Sequence, residues 1–178
     1  MTDLMYRKIT VDECDKINQI DPQHYIKNAW RLVDGKSKLI GINNMEKDWS
    51  DGYERYRSEL EKTLTNGGVA IGAFDAQGTL HGFVSLDKEG FGKTAKYMLL
   101  DSMFVSFSSR GNGIGKKLFE LCCVEAKESL ADSIYICAGS AEDTVAFYRS
   151  CGCIDATEVN QELYEQDTRD MQLEYKLK

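Results

Sequence analysis

Alternating and periodic apolar positions divide the chain into short strands and helical segments. Alternation predicts a strand at residues 6–9, and two apolar runs that flank the turn-forming DAQGT predict a β-hairpin within residues 67–87. The run KYMLLDSMFVS, residues 96–106, predicts a buried central strand that Asp101 interrupts with a charge. These segments indicate a sheet at the centre of the fold.

The region before this hairpin predicts helices. Residues 12–65 are polar and rich in aromatic side chains, and we predict them to be mostly helical. Asp51 is the expected N-cap of a helix in which Tyr53, Tyr56 and Leu60 share one face.

Two further helices follow the central strand and enclose another strand. Residues 113–129 carry apolar side chains at helical spacing, and the apolar run SIYICAG is typical of a buried strand. Residues 140–152 predict a helix with Ser140 as its N-cap and Gly152 in a left-handed C-cap. An alternating last strand at residues 170–178 completes an α/β (α+β) domain with one central crossover.

Length, charge and cysteine usage limit the classes of partner, the cellular location and the metal sites that we expect. A chain of 178 residues suits one domain, and its net charge of −7 argues against a nucleic-acid partner, because phosphate-backbone binding needs a cationic face. No apolar run approaches the roughly 18 residues that span a bilayer, so no membrane partner is expected. The polar N-terminus differs from a secretory signal, which predicts a cytoplasmic location and reduced thiols. No cysteine or histidine pair has zinc-site spacing, so no metal is expected.

A glycine-rich stretch, FSSRGNGIGKKLF at residues 107–119, carries the most specific chemistry. Glycines allow backbone N–H groups to approach a ligand closely, and the helix that follows adds unsatisfied donors and partial positive charge. Arg110, Lys116 and Lys117 add cationic side chains. The stretch predicts an anion-binding loop, with a turn that binds nothing as the alternative. Its spacing fits neither a nucleotide P-loop nor a dinucleotide fingerprint.

The spacing instead resembles the acetyl-CoA loop of the GCN5-related N-acetyltransferase (GNAT) superfamily, [RQ]-x-x-G-x-[GA]. Arg110, Gly113 and Gly115 match this motif, and Val105 occupies the family's valine position upstream. Downstream, AFYRSCG is similar to the family's F-Y-x-x-x-G segment. The resemblance covers about residues 69–178.

The resemblance implies a GNAT fold, with a central mixed, mostly antiparallel twisted sheet flanked by helices in one N-acetyltransferase domain of residues 1–178. Residues 1–68 would supply an N-terminal strand and substrate-side helices, and residues 69–178 the acetyl-CoA-binding core and C-terminal strands. Acetyl-CoA is then the co-substrate. The residues implied in binding it are Met103, Phe104, Val105, Arg110, Gly111, Asn112, Gly113, Ile114, Gly115 and Lys116.

Catalytic roles are implied in the same way. Tyr148 matches the tyrosine that protonates the departing CoA thiolate, because a phenol with a pKa near 10 keeps its proton at neutral pH. A tyrosine that only packs on the sheet is the alternative. Asp101 lies two residues from Met103, so it should share its face and act as the general base, unless it only orders water. A backbone N–H near Phe104 or Val105 would polarise the acetyl carbonyl.

The acceptor site is expected in residues 24–60 and 155–170, where aromatic side chains and carboxylates favour a small cationic amine, such as a polyamine or an aminoglycoside-like antibiotic. Acetylation of a protein lysine or N-terminus, and a non-catalytic acyl-CoA-binding sensory module, are the alternatives. Homodimers are frequent among similar proteins. The acceptor-side candidates are Tyr25, Trp30, Trp49, Tyr53, Tyr164, Glu46, Asp48, Asp51, Glu54, Glu162, Glu165 and Asp167.

Overall fold

A computed structural model describes residues 3–177 of the chain. The strands are β1 (Met5–Lys8), β2 (His24–Val33), β3 (Lys36–Glu46), β4 (Val69–Phe74), β5 (Leu80–Phe91), β6 (Tyr97–Val105), β7 (Ser133–Ala138), β8 (Ile154–Asp155) and β9 (Met171–Lys176). The α-helices are α1 (Tyr53–Thr65), α2 (Ile114–Glu128), α3 (Glu142–Ser150) and α4 (Gln161–Gln166). Two 3₁₀ helices cover Val11–Gln19 and Phe107–Ser109.

One mixed sheet forms the centre of the fold. Its strands lie in the order β1-β4-β5-β6-β7-β9-β8. The β6–β7 pair is parallel and is joined by α2, whereas the other pairs in this sheet are antiparallel. The predicted α/β class, with a mostly antiparallel sheet and a central crossover, is confirmed.

The sheet buries an apolar cluster on each face. On the α2 face, side chains such as Val84 pack with Leu118 of the helix. On the α1 face, Phe83 packs with Leu60 of α1 and with the 3₁₀ helix Val11–Gln19. Because successive residues of a strand point to opposite sides, the neighbours Phe83 and Val84 belong to different clusters.

Residues 24–46 correct a sequence prediction. The region 12–65, predicted to be mostly helical, contains the antiparallel pair β2 and β3. Asp34 and Gly35 connect these strands with φ values of 52° and 72°, the signs that a two-residue type I′ hairpin turn requires. The helical prediction fails here because an Asp-Gly pair between two extended runs favours a hairpin. The polar and aromatic composition of residues 24–46 had favoured helices instead.

The predicted helix ends are partly confirmed. Gly152, just beyond α3, has a φ of 96°, as predicted for a left-handed C-cap. At the start of α1, however, the N-cap is Gly52, with a φ of 84°, and not Asp51. The Asp51 carboxylate instead lies 3.2 Å from the Arg55 guanidinium and accepts a hydrogen bond from the Tyr56 hydroxyl at 3.3 Å. These side chains draw it away from the helix N–H groups.

A β-bulge in β6 changes which face its residues occupy. Ser85 of β5 pairs with Ser102, but the next residue of β5 pairs with Leu100, so Asp101 is an extra residue without a partner. Met103 and Leu100 are three residues apart and yet both pack on the α2 face. Asp101 lies on the α1 face, where it contacts Ser85 and Ser102. The expectation that it shares a face with Met103 is wrong, because the bulge shifts the alternation by one residue.

Candidate active site

The strands β6 and β7 separate at their carboxyl-terminal ends and open a split in the sheet. Their pairing ends at Leu100 and Ile136, whereas β6 continues to Val105 and β7 to Ala138. Within the described chain, no strand lies between these two ends. The edges that line the split therefore present backbone groups that an extended ligand can bind as an added strand would.

Strand alternation decides which backbone groups of β6 face the split. The Ser106 N–H donates to the His81 carbonyl on β5 at 2.8 Å, so the residue before it directs its N–H to the opposite edge. Val105 and Met103 therefore present their backbone groups to the split, whereas those of Phe104 point to β5. Of the two amides predicted to polarise the acetyl carbonyl, the one on Val105 has the suitable direction.

The glycine loop presents a row of backbone N–H groups at the start of α2. Gly111 and Gly113 have φ values of 79° and 80°, a region that favours glycine. Gly113 is the N-cap, and the first helical hydrogen bond runs from the Lys117 N–H to its carbonyl at 3.0 Å. The N–H groups of residues 113–116 accordingly have no acceptor within the described chain. Donors in this arrangement fit an anion with several oxygen atoms, such as a pyrophosphate.

Polar side chains hold this loop in shape. Arg110 Nε donates to the Val105 carbonyl at 3.0 Å, which ties the loop to the end of β6. Asn112 Nδ2 donates to the carbonyls of Ser109 and Arg110 at 3.2 and 3.3 Å. Lys116 lies in the first turn of α2, where its charge adds to the partial positive charge of the helix N-terminus.

Gly115 lies in a tightly packed position. A Cβ atom on it would lie 3.2 Å from the Phe147 ring and 3.4 Å from the Met103 methyl group. The first turn of α2 therefore approaches both α3 and β6, and Ile114 beside it is buried in the α2-face cluster. The predicted co-substrate residues are thus brought together, with β6 lining the split and the loop at its end.

Tyr148 is buried in the α2-face cluster, with 7% of its surface exposed. Its ring packs edge-on against Phe119 of α2, with 6.2 Å between the ring centroids. Burial raises the pKa of this phenol, and the thiols of Cys153 and Cys122 act in the same direction. Tyr148 therefore keeps its proton at neutral pH, a property that a proton donor needs and that a packing residue also has.

Asp101 has a perturbed proton affinity. Burial, followed by the charges of Asp87 and Glu59, raises its pKa to about 6, while hydrogen bonds from Ser102 at 3.1 Å and Ser85 at 3.4 Å oppose the rise. A carboxyl group with this pKa is mostly ionised at pH 7 and takes up a proton more readily than an ordinary aspartate.

A second carboxyl group with a raised pKa lies near the same region, and no motif in the sequence marks it. Burial, followed by the charge of Asp167, raises the pKa of Asp170 to about 6. Asp170 precedes Met171, which pairs with Ala138 at the end of β7. Burial raises the pKa of the Cys137 thiol on β7 to about 11, and the charges of Asp170 and Asp101 act in the same direction. Cys137 lies just beyond the last β6–β7 pair, so acidic side chains lie beside the split.

The aromatic residues expected at the acceptor site have different environments. Trp49 is 8% exposed and packs on the rings of Phe104 and Tyr56, with centroid distances of 4.6 and 5.1 Å, so it supports the α1 face as part of the core. Tyr25 is exposed on the hairpin. The partly buried candidates are Trp30, Tyr53, Tyr164, Glu46 and Asp167, and the exposed ones are Asp48, Asp51, Glu54, Glu162 and Glu165.

Hydrogen bonds hold the β2–β3 hairpin, and the segment that leads into it, on both sides of the split. On the β6 side, the Phe107 N–H donates to the Asp21 carbonyl at 2.9 Å. On the α3 side, the Trp30 N–H donates to the Ser140 carbonyl at 2.8 Å, and Arg31 donates to the Ser140 hydroxyl at 2.6 Å. Ser140 is engaged by the hairpin and therefore does not cap α3, contrary to the sequence prediction.

Two negative findings apply to residues 3–177. No three side chains of His, Cys, Asp or Glu in this range are placed to hold a metal ion. None of the helices described is both long and apolar enough to cross a membrane.

Comparison with known proteins identifies the family. The model of the Acetyltransferase (GNAT) family matches residues 39–153, which is most of the chain. No curated protein matches the sequence significantly. Similar solved structures include a nourseothricin acetyltransferase, at a TM-score of 0.76 and 16% identity over 99% of this chain and 100% of that one.

Two further structures were solved with the co-substrate or its product. A putative streptothricin acetyltransferase from Bacillus anthracis str. Ames, in complex with acetyl coenzyme A, has a TM-score of 0.70 and 16% identity over 97% of this chain and 96% of that one. The PaiA N-acetyltransferase from Thermoplasma acidophilum, in complex with coenzyme A, has a TM-score of 0.61 and 16% identity over 98% and 99%. The chain belongs to the GNAT acetyltransferase family, as an N-acetyltransferase whose co-substrate is acetyl-CoA.

Proposed function

We propose that the protein transfers the acetyl group of acetyl-CoA directly to a primary amine of a small cationic molecule. The observation that carries the proposal is the bulge in β6, which places the partly buried Asp101 on the α1 face beside the split. A carboxylate at that position faces the region where the acceptor would enter, and the backbone of Met103 and Val105 faces the co-substrate.

The described residues fit acetyl-CoA. The N–H groups of residues 113–116 and the charges of Arg110 and Lys116 would hold its pyrophosphate, and the backbone groups of Met103 with the Val105 N–H would pair with its pantetheine arm. Bound in this way, the co-substrate supplies an acetyl thioester, which is an activated acyl donor.

Three groups of the chain would then move or stabilise charge. Asp101 accepts a proton from the acceptor ammonium, directly or through a water molecule, so that the amine nitrogen can bond to the carbonyl carbon. The Val105 N–H stabilises the negative charge that develops on the carbonyl oxygen. Tyr148 donates its proton to the sulfur as the carbon–sulfur bond breaks and the electron pair leaves with the sulfur. The nitrogen releases its second proton as the amide forms, directly or through water to the Tyr148 phenolate, which restores the phenol.

The charge beside the split supports a cationic acceptor. Asp101 and Asp170 are partly buried, and the negative charges of other carboxylates raise the pKa of each. A bound cation would relieve this repulsion. Because the nourseothricin and streptothricin acetyltransferases share the fold, we propose antibiotics of that kind as the first acceptors to test.

The test is thiol release from acetyl-CoA with a panel of amines, namely streptothricin-type antibiotics, aminoglycosides, polyamines, amino acids and a basic peptide. Saturable turnover with one of the small cationic amines is the expected result. Turnover with the peptide alone would indicate a protein acetyltransferase, and calorimetric CoA binding without any turnover would indicate a sensory module. Either result would overturn the proposed acceptor class.

A further inference from the structure

A chain of hydrogen bonds links the β4–β5 turn to the start of the glycine loop. Asp75 Oδ2 lies 2.9 Å from His81 Nε2, and His81 Nδ1 lies 3.0 Å from Ser109 Oγ. His81 is the second residue of β5, and Ser109 ends the 3₁₀ helix that precedes the loop. None of these three residues belongs to the acetyl-CoA motif, so the motif does not explain the linkage.

The Asp75 end of this chain is held rigidly by its own turn. The Asp75 carboxylate accepts hydrogen bonds from the N–H groups of Thr79 at 2.8 Å and Gln77 at 3.0 Å. The hydrogen bond from His81 and those from the turn lower the pKa of Asp75, so this group is an anion at neutral pH. A fixed anion on one side of the imidazole orients the ring toward Ser109.

The Ser109 end is equally constrained. Its N–H donates to the Ser106 carbonyl at 2.8 Å, and its own carbonyl accepts from Asn112 Nδ2 at 3.2 Å. The hydroxyl, held by His81, is the third point of attachment. Ser109 directly precedes the segment in which Gly111 and Gly113 take positive φ values, so these attachments help to fix the position of the loop that leads to the free N–H groups of α2.

We propose that His81 is a positioning residue for acetyl-CoA: it holds Ser109 and so keeps the glycine loop in its pyrophosphate-binding shape. The inference rests on the proposed function, in which this loop holds the pyrophosphate. A loop that is already ordered loses less conformational entropy on binding, so His81 contributes to co-substrate affinity without touching the co-substrate.

The same three residue types form nucleophilic triads in hydrolases, and the geometry distinguishes the two roles. Ser109 contacts Nδ1, the ring nitrogen nearer the backbone, whereas the template triad uses Nε2 for the nucleophile. Both backbone groups of Ser109 are also engaged within the loop. This arrangement fixes the serine in place, which suits support of the loop rather than attack on a substrate.

The test compares variants of the linkage by calorimetric binding of CoA and by steady-state kinetics. His81→Leu should raise the Kd for CoA and the KM for acetyl-CoA about two- to tenfold, the worth of one hydrogen bond, with kcat and the acceptor KM unchanged. His81→Asn places an amide near the position of Nδ1 and should recover most of the affinity. Ser109→Ala should match His81→Leu, and the double variant should be no worse than either.

Several outcomes would overturn the inference. Equal affinities for wild type and His81→Leu, additive losses in the double variant, or covalent labelling of Ser109 by a serine-reactive fluorophosphonate would each do so. Glu128→Gln, which replaces an exposed carboxylate at the far end of α2 from the glycine loop, is the control and should bind CoA as wild type does. A wild type that fails to bind CoA would refute the proposed function itself, which keeps the two failures distinguishable.

Discussion

Replacing Asp101 by asparagine tests both the proposed base and the energetics of its environment. Asparagine keeps the size of the side chain and an oxygen that can accept from Ser85 and Ser102, but it cannot accept a proton at neutral pH. We expect kcat to fall by about 10²- to 10⁴-fold, the usual contribution of a general base. The KM for acetyl-CoA should hardly change, because Asp101 lies on the α1 face, away from the co-substrate loop.

The same substitution should stabilise the protein at alkaline pH. Folding raises the pKa of Asp101 from 3.8 to about 6, and a tenfold change in proton affinity corresponds to about 1.4 kcal/mol, so ionisation costs the folded state up to about 3 kcal/mol. A raised pKa means that this cost is absent below pH 3.8, grows as the pH rises, and is complete above pH 6. The asparagine variant avoids it at every pH.

Two measurements check this reasoning. In wild type, kcat/KM should rise with pH through a pKa near 6, and this acid limb should vanish in Asp101→Asn. Urea unfolding should show the variant about 1–3 kcal/mol more stable than wild type at pH 8 and equal to it below pH 4. Glu128→Gln, at the exposed carboxyl-terminal end of α2, should change neither profile. An unchanged rate would remove Asp101 as the base, and an unchanged stability at pH 8 would refute the assigned environment.

Three further substitutions address other parts of the structure. Tyr148→Phe should lower kcat at least tenfold while leaving the Kd for CoA unchanged, and an unaffected rate in stopped-flow turnover would assign the residue to packing alone. Gly113→Ala forces an L-residue to a φ of 80°, so it should lower the free energy of unfolding by about 1–2 kcal/mol and weaken CoA binding measured by calorimetry. The control Gly41→Ala should do neither, because a Cβ atom there has only ordinary contacts at 3.6 Å. Tyr97→Phe removes the 2.8 Å hydrogen bond to the fully buried Glu174 and should lower the free energy of unfolding by about 1–3 kcal/mol. An unchanged thermal midpoint would show that this hydrogen bond does not stabilise the fold.

The sequence predicted the parts of the fold that depend on local signals. The glycine loop, α2, β7 and α3 follow from apolar periodicity and from glycine spacing within short segments, and their bounds in the structure are close to those predicted. The β2–β3 hairpin does not follow from the polar and aromatic composition of residues 24–46, which favours helices, although Asp34-Gly35 marks its turn. Composition averages over a segment, whereas a turn depends on two residues.

Other features depend on contacts between distant residues. The loss of Ser140 as a cap follows from its engagement by Arg31, more than a hundred residues away in the chain. The position of Asp101 depends on an irregular pairing with β5 that no spacing rule within β6 reveals. Asp170 lies near Cys137 only because β9 pairs with β7, and its raised pKa could not be expected from the sequence.

Because Asp101 is the extra residue of the bulge in β6, deleting a single residue from this strand would remove the proposed base. The residues on either side of Asp101 already pair with consecutive residues of β5, so deleting Asp101 would remove this bulge and keep Leu100 and Met103 on the α2 face. At this position a one-residue deletion changes the architecture little and removes the proposed base, so the carboxylate beside the split can be lost by deletion as well as by substitution.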